Sequence, residues 1–591
     1  MKLLIVESPN KTRKIREFLG SDYRVAASFG HVRDLPMSGD LAVTFVNGRV
    51  VPRYEPLDRS RDAIAELQRQ ANQADEVLLA TDPDREGEAI AWHLSQILGE
   101  RPYRRVVFHA LTKAEVVKAV ANSRLLDTHL VDAQQARRVL DRVVGWLVSP
   151  TLRQLGKEAK SAGRVQSVAL RLVADREREI GKFNTVGYFI LAATVEKPGT
   201  PPPFVARLAI WKGEPLAQRI TDQAIAERTV EWCRKQRWQV VTCERREQFR
   251  NPPPPFSTAT VQQAASVRLG LNPDQTMKLL QSLFEGGHIT YHRTDSVALS
   301  PEAVSAARSV IAQRFKPLYL PSQPVIHATK SANAQEAHEA IRPTHAESGP
   351  DTLGGALEAK LYHLIWNRFI ASQMASGRDQ LTTIDIACAP GAWLVEGKKP
   401  QPMGIFQAKG KVVLFDGWRK LTGSDETDEP AKKGRGKTKK DDDDEFVGEL
   451  PMLSPGDVVD LKELEALSRA TKPPPRYTQA SLIKKLEKEG IGRPSTYAAI
   501  MRTILERFYV GEKQRKLFAT ELGMAVTDFL VRHYGGNFID LGFTARLEAD
   551  LDRIARGETA WEKIVTDASH AVLTLAQRAG LRGNPLIESR T

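Results

Sequence analysis

The stretch Thr81-Asp82-Pro83-Asp84-Arg85-Glu86-Gly87-Glu88 places four carboxylates directly after the apolar run Val77–Ala80. A further carboxylate, Glu7, follows a second short apolar run, Leu3–Val6. Short apolar runs alternate with helical spacing through the first 120 residues, which is typical of an α/β unit with a parallel sheet. Because ligands bind outside the carboxyl ends of the strands in such sheets, we expect these carboxylates to meet at one edge.

Clustered carboxylates of this kind predict a magnesium site. In an extended chain Asp82 and Asp84 point to the same side, and Glu86 stands where a helix begins. Mg²⁺ is usually held by one or two carboxylates together with phosphate and water. Crowding raises the pKa of one carboxyl, so Glu7 could act as a general acid, while Lys11 would oppose that shift and hold a phosphate. The alternative is a solvated turn before a helix, with glutamates favoured at the helix N-terminus.

The second informative stretch is His288-Ile289-Thr290-Tyr291-His292-Arg293-Thr294-Asp295-Ser296. It begins as a β-type run, in which Tyr291 and Arg293 share one face while Thr290 and His292 share the other. A phenol is a poor nucleophile at neutral pH, but a guanidinium beside it can stabilise the phenolate and bind phosphate. From these residues alone, a half-buried tyrosine beside an ion-paired arginine is the alternative.

Composition favours a polyanionic partner. The 591 residues carry a formal charge of +13 with a pI near 9.4, and the length predicts roughly four domains. No stretch resembles a membrane span, and Glu7 interrupts the opening apolar residues before a signal peptide can form. Cys233, Cys243 and Cys388 have no paired spacing, so we expect neither a disulfide framework nor zinc, and a reducing cytoplasmic location is the default.

The middle of the chain suggests discontinuous domains. Two β-rich regions, 186–250 and 378–465, enclose a helical region, 251–377, that starts at a run of four prolines. We expect this insertion to project from the body like a lid. The charge blocks in 424–446 predict a solvated surface loop, and its Gly436-Lys437-Thr438 is not a P-loop because Ala431 stands where the motif needs glycine.

The pairing of Glu7 with Asp82-x-Asp84-x-Glu86 resembles the Toprim domain. The tyrosine segment resembles the active-site segment of the type IA DNA topoisomerases, closest to bacterial topoisomerase I. Further matching segments follow in family order over about residues 1–575. They are Ile5–Pro9 with Lys11, Gly30–Pro36, Asp82–Trp92, Gln134–Arg138, Ser161–Ser167, Gln335–Pro343 and Gly492–Tyr497.

The resemblance implies a covalent reaction. Tyr291 would attack a single-strand phosphodiester and become linked to the 5′ phosphate, and Glu7 would protonate the released 3′ oxygen. Lys11 and Arg293 would neutralise the phosphate, and His338 would hydrogen-bond near it. ATP is not required, since the phosphotyrosine bond conserves the energy. One or two Mg²⁺ ions would seat the 3′ end for resealing, held by Glu7, Asp82, Asp84 and Glu86.

The resemblance also implies a single-strand DNA groove and a base pocket beside Trp146, which stands where bacterial relatives usually carry tyrosine. Backbone-tracking basic side chains suit such a groove, although the alternative for any one arginine is a solvated helix face. The residues implied to bind DNA are Arg137, Arg138, Asp141, Arg142, Trp146, Arg164, Arg493, Thr496 and Arg507.

The implied fold class is a multidomain α/β plus α and β protein whose four domains form a torus. The resemblance also implies a monomer that acts on negatively supercoiled DNA in the cytoplasm, at the bacterial nucleoid, without membrane contact. Toprim and helical domains form its base, a β-rich domain the arch, and the tyrosine domain a movable gate. The expected boundaries are 1–125 (Toprim, with 36–62 packing on the helical domain), 126–185 and 466–591 (helical), 186–250 and 378–465 (arch), and 251–377 (gate).

Two departures from the family pattern stand out. Relatives usually continue into C-terminal zinc-binding modules, whereas no cysteine follows Cys388, so the chain is either truncated or naturally short. His292 replaces the usual Met or Pro, and its expected side of the strand faces away from Tyr291; a bent backbone would instead allow it to act as an extra base. The rival functions are a topoisomerase III-like decatenase, a Toprim nuclease and a non-catalytic single-strand-binding protein.

Overall fold

The computed structural model describes residues 1–215, 220–327, 338–350, 353–391, 402–423 and 448–586. The segment 424–446 and the residues Gln335–Ala337, both singled out in the sequence, lie outside the described residues. Over the described ranges, no helix combines the length and apolarity needed to cross a membrane.

The described residues form helices and strands in alternation. The α-helices are α1 (Pro9–Leu19), α2 (Arg61–Asn72), α3 (Arg85–Ile97), α4 (Lys113–Ala121), α5 (Thr128–Val148), α6 (Arg164–Gly181), α7 (Gln223–Arg234), α8 (Thr258–Leu269), α9 (Pro273–Glu285), α10 (Pro301–Arg314), α11 (Ala356–Ser372), α12 (Arg419–Thr422), α13 (Gln479–Lys488), α14 (Tyr497–Glu506), α15 (Glu521–Tyr534), α16 (Leu541–Ala555) and α17 (Trp561–Arg578). The strands are β1 (Lys2–Val6), β2 (Tyr23–Ala27), β3 (Arg33–Asp34), β4 (Val43–Val46), β5 (Arg49–Pro52), β6 (Glu55–Pro56), β7 (Val77–Leu79), β8 (Tyr103–Arg105), β9 (Gly187–Lys197), β10 (Thr200–Trp211), β11 (Glu214–Pro215), β12 (Trp238–Arg250), β13 (Gly377–Cys388), β14 (Gly404–Phe415), β15 (Asp460–Ala470), β16 (Val510–Lys513) and β17 (Lys516–Ala519).

The N-terminal unit is a parallel four-stranded sheet in the order β2-β1-β7-β8. After the exposed Lys2, the inner strand β1 is apolar from Leu3 to Val6 because both of its faces are covered. Leu3 and Ile5 pack with residues of α2 and α3, and Leu4 and Val6 pack on the other face with residues of α1 and α4. The α/β unit predicted from the alternating runs is confirmed.

The helical base, formed by α5, α6 and α13–α17, has the largest apolar core. The hairpin of β4 and β5 also contributes to this core through Val43 and Val50, although it lies within the first 60 residues. The helices pair chiefly through α5, which contacts both α16 and α17. The N-terminal sheet and the helical base are therefore held together by more than the chain connection.

The arch is a seven-stranded sheet in the order β12-β13-β14-β10-β9-β15, with β11 beside β10. Strands from both β-rich regions interleave in it, and α7 covers one face. Because β12 and β13 are antiparallel, Arg250 at the end of one pairs with Gly377 at the start of the other. The chain between them, 251–376, thus leaves and re-enters the arch at adjacent points.

That inserted chain forms the gate, in which α8–α11 share a core with Phe284 and Tyr291. It contacts the N-terminal unit through an isolated bridge between Ala110 and Thr290 and a 2.8 Å hydrogen bond from the Tyr291 amide to the His109 carbonyl. The predicted fold class, with α/β, helical and β-rich parts, is confirmed, and the gate is closed on the sheet in this structure.

Candidate active site

The carboxylates that follow β1 and β7 lie at one edge of the sheet. The two strands are parallel neighbours, with Ile5 paired to Leu79, so both end on the same side. Asp84 caps α3, and its Oδ1 accepts a 2.8 Å hydrogen bond from the Gly87 amide. A Cβ at Gly87 would lie 2.0 Å from the carbonyl oxygen of Asp82, so this turn requires glycine there.

Lys11 lies between the two strand ends. Its side chain is fully buried, and its Nζ donates to Asp82 and lies 3.6 Å from Glu7 Oε1. Burial raises the pKa of Glu7 well above its usual value, and the Asp82 charge adds to this against the opposing effect of Lys11. Burial also acts to raise the pKa of Asp82, but Lys11 holds that pKa well below its usual value. Glu7 is therefore the carboxyl suited to carry a proton, and Asp82 is ionised.

The four predicted metal ligands do not converge in this conformation, which corrects the expectation of a single cluster. Glu86 turns away with the first turn of α3, and its Oε2 lies 3.3 Å from His31 Nε2 and 3.2 Å from Gln134 Nε2. Burial opposes ionisation of Glu86, yet these partners lower its pKa to about 2. Among the described residues, no three His, Cys, Asp or Glu side chains are placed to hold one ion. The buried Oδ2 of Asp82, however, has no hydrogen-bond partner and suits a hard cation.

Tyr291 lies directly against this carboxylate edge. Its ring is 2% exposed, and its hydroxyl donates a 2.7 Å hydrogen bond to Asp84 Oδ2. Burial raises the pKa of Tyr291 well above its usual value, the charges of Asp84 and Asp82 raise it further, and Arg293 opposes them. The phenol is therefore held protonated, and Asp84 cannot at the same time offer that oxygen to a metal.

The predicted strand around Tyr291 is wrong in detail, since the chain forms only isolated bridges at Ile289 and Thr290 and then bends at residues 292–293. Arg293 still reaches the same carboxylate as the phenol, with Nη1 3.6 Å from Asp84 Oδ2. Because of the bend, His292 does not face away from the site. It is 1% exposed and lines a cavity of about 470 Å³ together with Glu7 and Arg293.

The two histidines of the site are both uncharged at neutral pH. Burial and the nearby Arg293 lower the pKa of His292 to about 3, and its Nδ1 has no hydrogen-bond partner. His338 lies in irregular chain and is buried. Its ring lies 5.8 Å from the Tyr291 ring, and burial lowers its pKa to about 4.

Three of the arginines predicted to line a DNA groove lie in a buried ion-pair network instead. Glu548, on α16 and fully buried, accepts from Arg137 Nη2 at 2.6 Å and from Arg164 Nη1 at 2.5 Å. Arg164 also donates to Asp141 at 3.0 Å, so this predicted acidic residue belongs to the same network. Arg493 Nη1 lies 3.6 Å from the same glutamate.

A second buried carboxylate one turn further along α16 connects the helical base to the carboxylate edge of the sheet. Asp552 accepts from Arg493 Nη2 at 2.5 Å and from Arg85 Nη2 at 2.8 Å, and Arg85 is the residue after the helix cap Asp84. Sequence reasoning missed both acids of α16. The sequence did contain a signal for their burial. Glu548 and Asp552 are spaced i, i+4, and each directly follows an apolar residue of the helix, Leu547 or Leu551.

Residues that remain available to DNA lie along α5 and beyond it. Arg138 forms a two-point ion pair with Asp34 at 2.7 and 2.8 Å and is about one third exposed. Arg142 stacks over the Trp146 ring at 5.7 Å, and its Nε and Nη2 have no hydrogen-bond partner. Trp146 in turn lines a cavity of about 820 Å³ whose other walls include the basic residues Arg153, Lys157 and Lys160.

The last two predicted groove residues belong to α14. The Oγ1 of Thr496 accepts from the Arg493 amide at 2.9 Å and donates to the Arg493 carbonyl at 3.0 Å, so it shapes the turn that begins this helix. Arg507 caps the other end of the helix and is partly exposed. The two residues therefore lie at the two ends of α14, and the Thr496 hydroxyl makes its hydrogen bonds to the backbone.

A tyrosine from an inserted helical unit, seated on the carboxylate edge of a Toprim-like sheet, defines a class of DNA strand-cutting proteins. Family models match accordingly: a Toprim domain over residues 2–111 and a DNA topoisomerase model over residues 126–566. DNA topoisomerase 1 of Xylella fastidiosa is 41% identical over 582 residues, covering 95% of this chain and 68% of the relative. That of Zymomonas mobilis is 41% identical over 571 residues, covering 96% of this chain and 45% of the relative.

The full-length topoisomerase I structure from Thermotoga maritima is 32% identical and superposes with a TM-score of 0.80, covering 98% of this chain and 91% of that one. The chain belongs to the bacterial-type, type IA DNA topoisomerase family. It spans 45% to 71% of the length of curated relatives such as those from Zymomonas mobilis and Rickettsia prowazekii.

Proposed function

We propose that this protein relaxes negatively supercoiled DNA without ATP, by cutting one strand, passing the other through the break and resealing it. The observation that supports the proposal most strongly is the position of Tyr291, whose hydroxyl lies 2.7 Å from Asp84 at the carboxylate edge of the N-terminal sheet. Burial of a phenol among carboxylates and cations is uncommon for a packing residue, because each charge must be compensated. It suits a nucleophile that is held until substrate arrives.

In the proposed reaction the Tyr291 oxygen attacks the scissile phosphorus, and the P–O bond to the 3′ oxygen breaks. The tyrosine becomes linked to the 5′ phosphate, and Glu7, whose pKa is raised by burial, gives its proton to the departing 3′ oxygen. Resealing reverses both transfers, so the phosphoester energy is conserved. Lys11 and Arg293 neutralise the phosphate, and the neutral His338 hydrogen-bonds beside it.

Magnesium binding belongs to the same proposal. Asp82, with its unpartnered Oδ2, and Asp84, once Tyr291 has left it, would hold the ion, with Glu7 and Glu86 as further ligands after rearrangement. A bound ion would supply positive charge to align the 3′ end for resealing. In the closed structure Lys11 bonds the other oxygen of Asp82, and Tyr291 occupies Oδ2 of Asp84, so opening the gate would free the Asp84 oxygen for the ion.

The DNA path is proposed to run from the Trp146 cavity along α5 to the carboxylate edge. Arg138, Arg142, Trp146 and Arg507 would contact the strand, by phosphate contacts and stacking. The other predicted residues would keep the groove in shape through the buried network, namely Arg137, Asp141, Arg164, Arg493 and Thr496. We also propose that the protein acts as a monomer, at the nucleoid in the cytoplasm, as expected for this family.

The test is covalent trapping on a 5′-labelled and a 3′-labelled single-stranded oligonucleotide, quenched with denaturant. We expect protein attached to the 5′ end of the downstream fragment and a free 3′ hydroxyl on the other. Tyr291→Phe should abolish the covalent product and the relaxation of supercoiled plasmid, whereas Tyr319→Phe, an equally conservative change remote from the sheet edge, should not.

The alternatives give different results in the same assay. Free ends without attached protein indicate a Toprim nuclease, and intact DNA indicates a binding protein. Full relaxation by Tyr291→Phe would refute the proposal. If linked circles are separated faster than supercoils are relaxed, the protein acts mainly as a decatenase of the topoisomerase III kind.

A further inference from the structure

We propose that Phe29 is a stacking platform for one nucleobase of the bound single strand, a role that rests on the proposed function. The ring is 65% exposed, and the residue has a φ of 58°. L-residues with bulky side chains rarely adopt this left-handed backbone, and such conformations concentrate at functional sites. An exposed phenyl ring gains little from packing, and the left-handed backbone is unfavourable for such a side chain. Stability of the fold therefore does not explain Phe29, and a role in binding does.

The backbone on both sides of Phe29 is hydrogen-bonded to the end of β1, where Glu7 follows. The Ser28 amide donates to the Val6 carbonyl at 2.8 Å, and the Gly30 amide donates to the Glu7 carbonyl at 3.0 Å. Ser28 is fully buried, and its hydroxyl donates to the Gly30 carbonyl at 3.0 Å. The ring is therefore projected from a rigid support hydrogen-bonded to the general acid, so little conformational freedom is lost when a base stacks on it.

The same segment leads from the catalytic edge to the groove. Two residues after Phe29, His31 lies 3.3 Å from Glu86, and further on Asp34 forms the two-point ion pair with Arg138 on α5. A strand that passes from α5 to Tyr291 thus follows this segment. An exposed aromatic ring along such a path is the usual platform for an unpaired base.

A comparison with Phe508 separates this case from ordinary backbone geometry. Phe508 is also exposed, at 71%, with a φ of 56°, but it follows the end of α14 and its amide bonds the Leu505 carbonyl. A left-handed residue is a common way to end a helix. Phe29 follows strand β2 and ends no helix, so helix termination does not account for it.

The first test measures affinity for a single-stranded oligonucleotide in the Tyr291→Phe background, where no cleavage occurs. Phe29→Gly suits the left-handed backbone, so it should fold at least as well as the parent while binding about tenfold more weakly. Phe29→Leu, apolar but not aromatic, should lose a similar amount, and Phe29→Trp should stay within about twofold. Phe249→Ala, which removes a ring 64% exposed on the arch, is the control and should bind as the parent does.

The second test replaces each nucleotide of the oligonucleotide in turn by an abasic site. In the parent, one abasic position should weaken binding about tenfold, and in Phe29→Gly that particular loss should disappear. The inference is overturned if Phe29→Gly and Phe29→Leu bind within about twofold of the parent, or if the same abasic position stays equally costly in both proteins. With Tyr291 intact, Phe29→Gly should still form the covalent complex at about tenfold higher DNA; absence of that complex in the unsubstituted protein instead refutes the proposed function.

Discussion

Replacing Glu548 by glutamine should destabilise the helical base more than any surface change. The substitution keeps shape and volume but removes the charge that both Arg137 and Arg164 contact, at 2.6 and 2.5 Å. Breaking a buried ion pair on one side costs about 3–5 kcal/mol because the remaining charges stay buried without compensation. Arg493, 3.6 Å away, retains Asp552 and should lose less.

The measurement is amide hydrogen exchange of α5, α6 and α16, since unfolding of a chain this long is not a single two-state step. A loss of about 3–5 kcal/mol should speed exchange there by about 150-fold to about 4,000-fold, while exchange in the arch stays unchanged. The control is Glu558→Gln, which removes an exposed partner of Arg556 just beyond α16 and should change little. Exchange of α16 within about tenfold of the parent would refute the idea that the network is structural.

The same network predicts a pH dependence. Burial opposes ionisation of Glu548, but Arg137, Arg164 and Arg493 hold its pKa well below the usual value. Such a group stabilises the folded state above the pKa of about 4.3 that it has in the unfolded chain, and this contribution is lost as the pH falls toward the folded-state pKa. The difference in stability between the parent and Glu548→Gln should therefore be constant above about pH 5 and narrow below pH 4.

Three other results are expected at and around the site. Asp82→Asn combined with Asp84→Asn should slow resealing of a cleaved oligonucleotide on the order of 100-fold more than cleavage; equal losses in quench-flow assays would rule out these residues as metal ligands. His292→Met should raise the free energy of unfolding by about 1 kcal/mol, since it removes a buried nitrogen without a partner, and a lowered melting temperature would show that the nitrogen is bonded in solution. Arg502→Gln removes an exposed 3.1 Å ion pair between Arg502 on α14 of the helical base and Asp274 on α9 of the gate, and it should favour gate opening about twofold. The measurement is energy transfer between labels on the gate and the sheet, and an unchanged distance distribution would contradict this.

The sequence was sufficient wherever local pattern dictates structure. The unbroken apolar run Leu3–Val6 predicted a strand covered on both faces, and that is how β1 packs. The two β-rich regions around a helical one predicted discontinuous domains with an insertion, and in the structure β12 and β13 pair at the base of the inserted chain. In both cases the residue pattern itself carries the constraint.

Long-range charge pairing could not be predicted in this way. Arg137 and Glu548 are 411 positions apart, and nothing in the spacing of either residue signals the other. An arginine on an amphipathic helix looks the same whether it faces DNA or a buried acid, because only the tertiary fold decides which negative charge it meets. Glu86 shows the same limit at short range, since a single helical turn carries it away from Asp82 and Asp84 toward His31.

The contact between Tyr291 and Asp84 changes how activation of the proposed nucleophile has to be understood. From the sequence, Arg293 was expected to stabilise a phenolate directly, but in the closed structure the guanidinium lies 3.6 Å from the carboxylate that already holds the phenolic hydrogen. The carboxylates raise the pKa of Tyr291, so the resting enzyme disfavours the attacking form. A DNA phosphate entering beside Arg293 and Lys11 would compete with Asp82 and Asp84 for the same two cations. Because Arg293 lowers the pKa of Tyr291, the attacking form would be favoured only if the bound phosphate shares the guanidinium with the phenol and does not withdraw it. In the proposed reaction, the strand to be cut would therefore have to rearrange the charges around the tyrosine before attack.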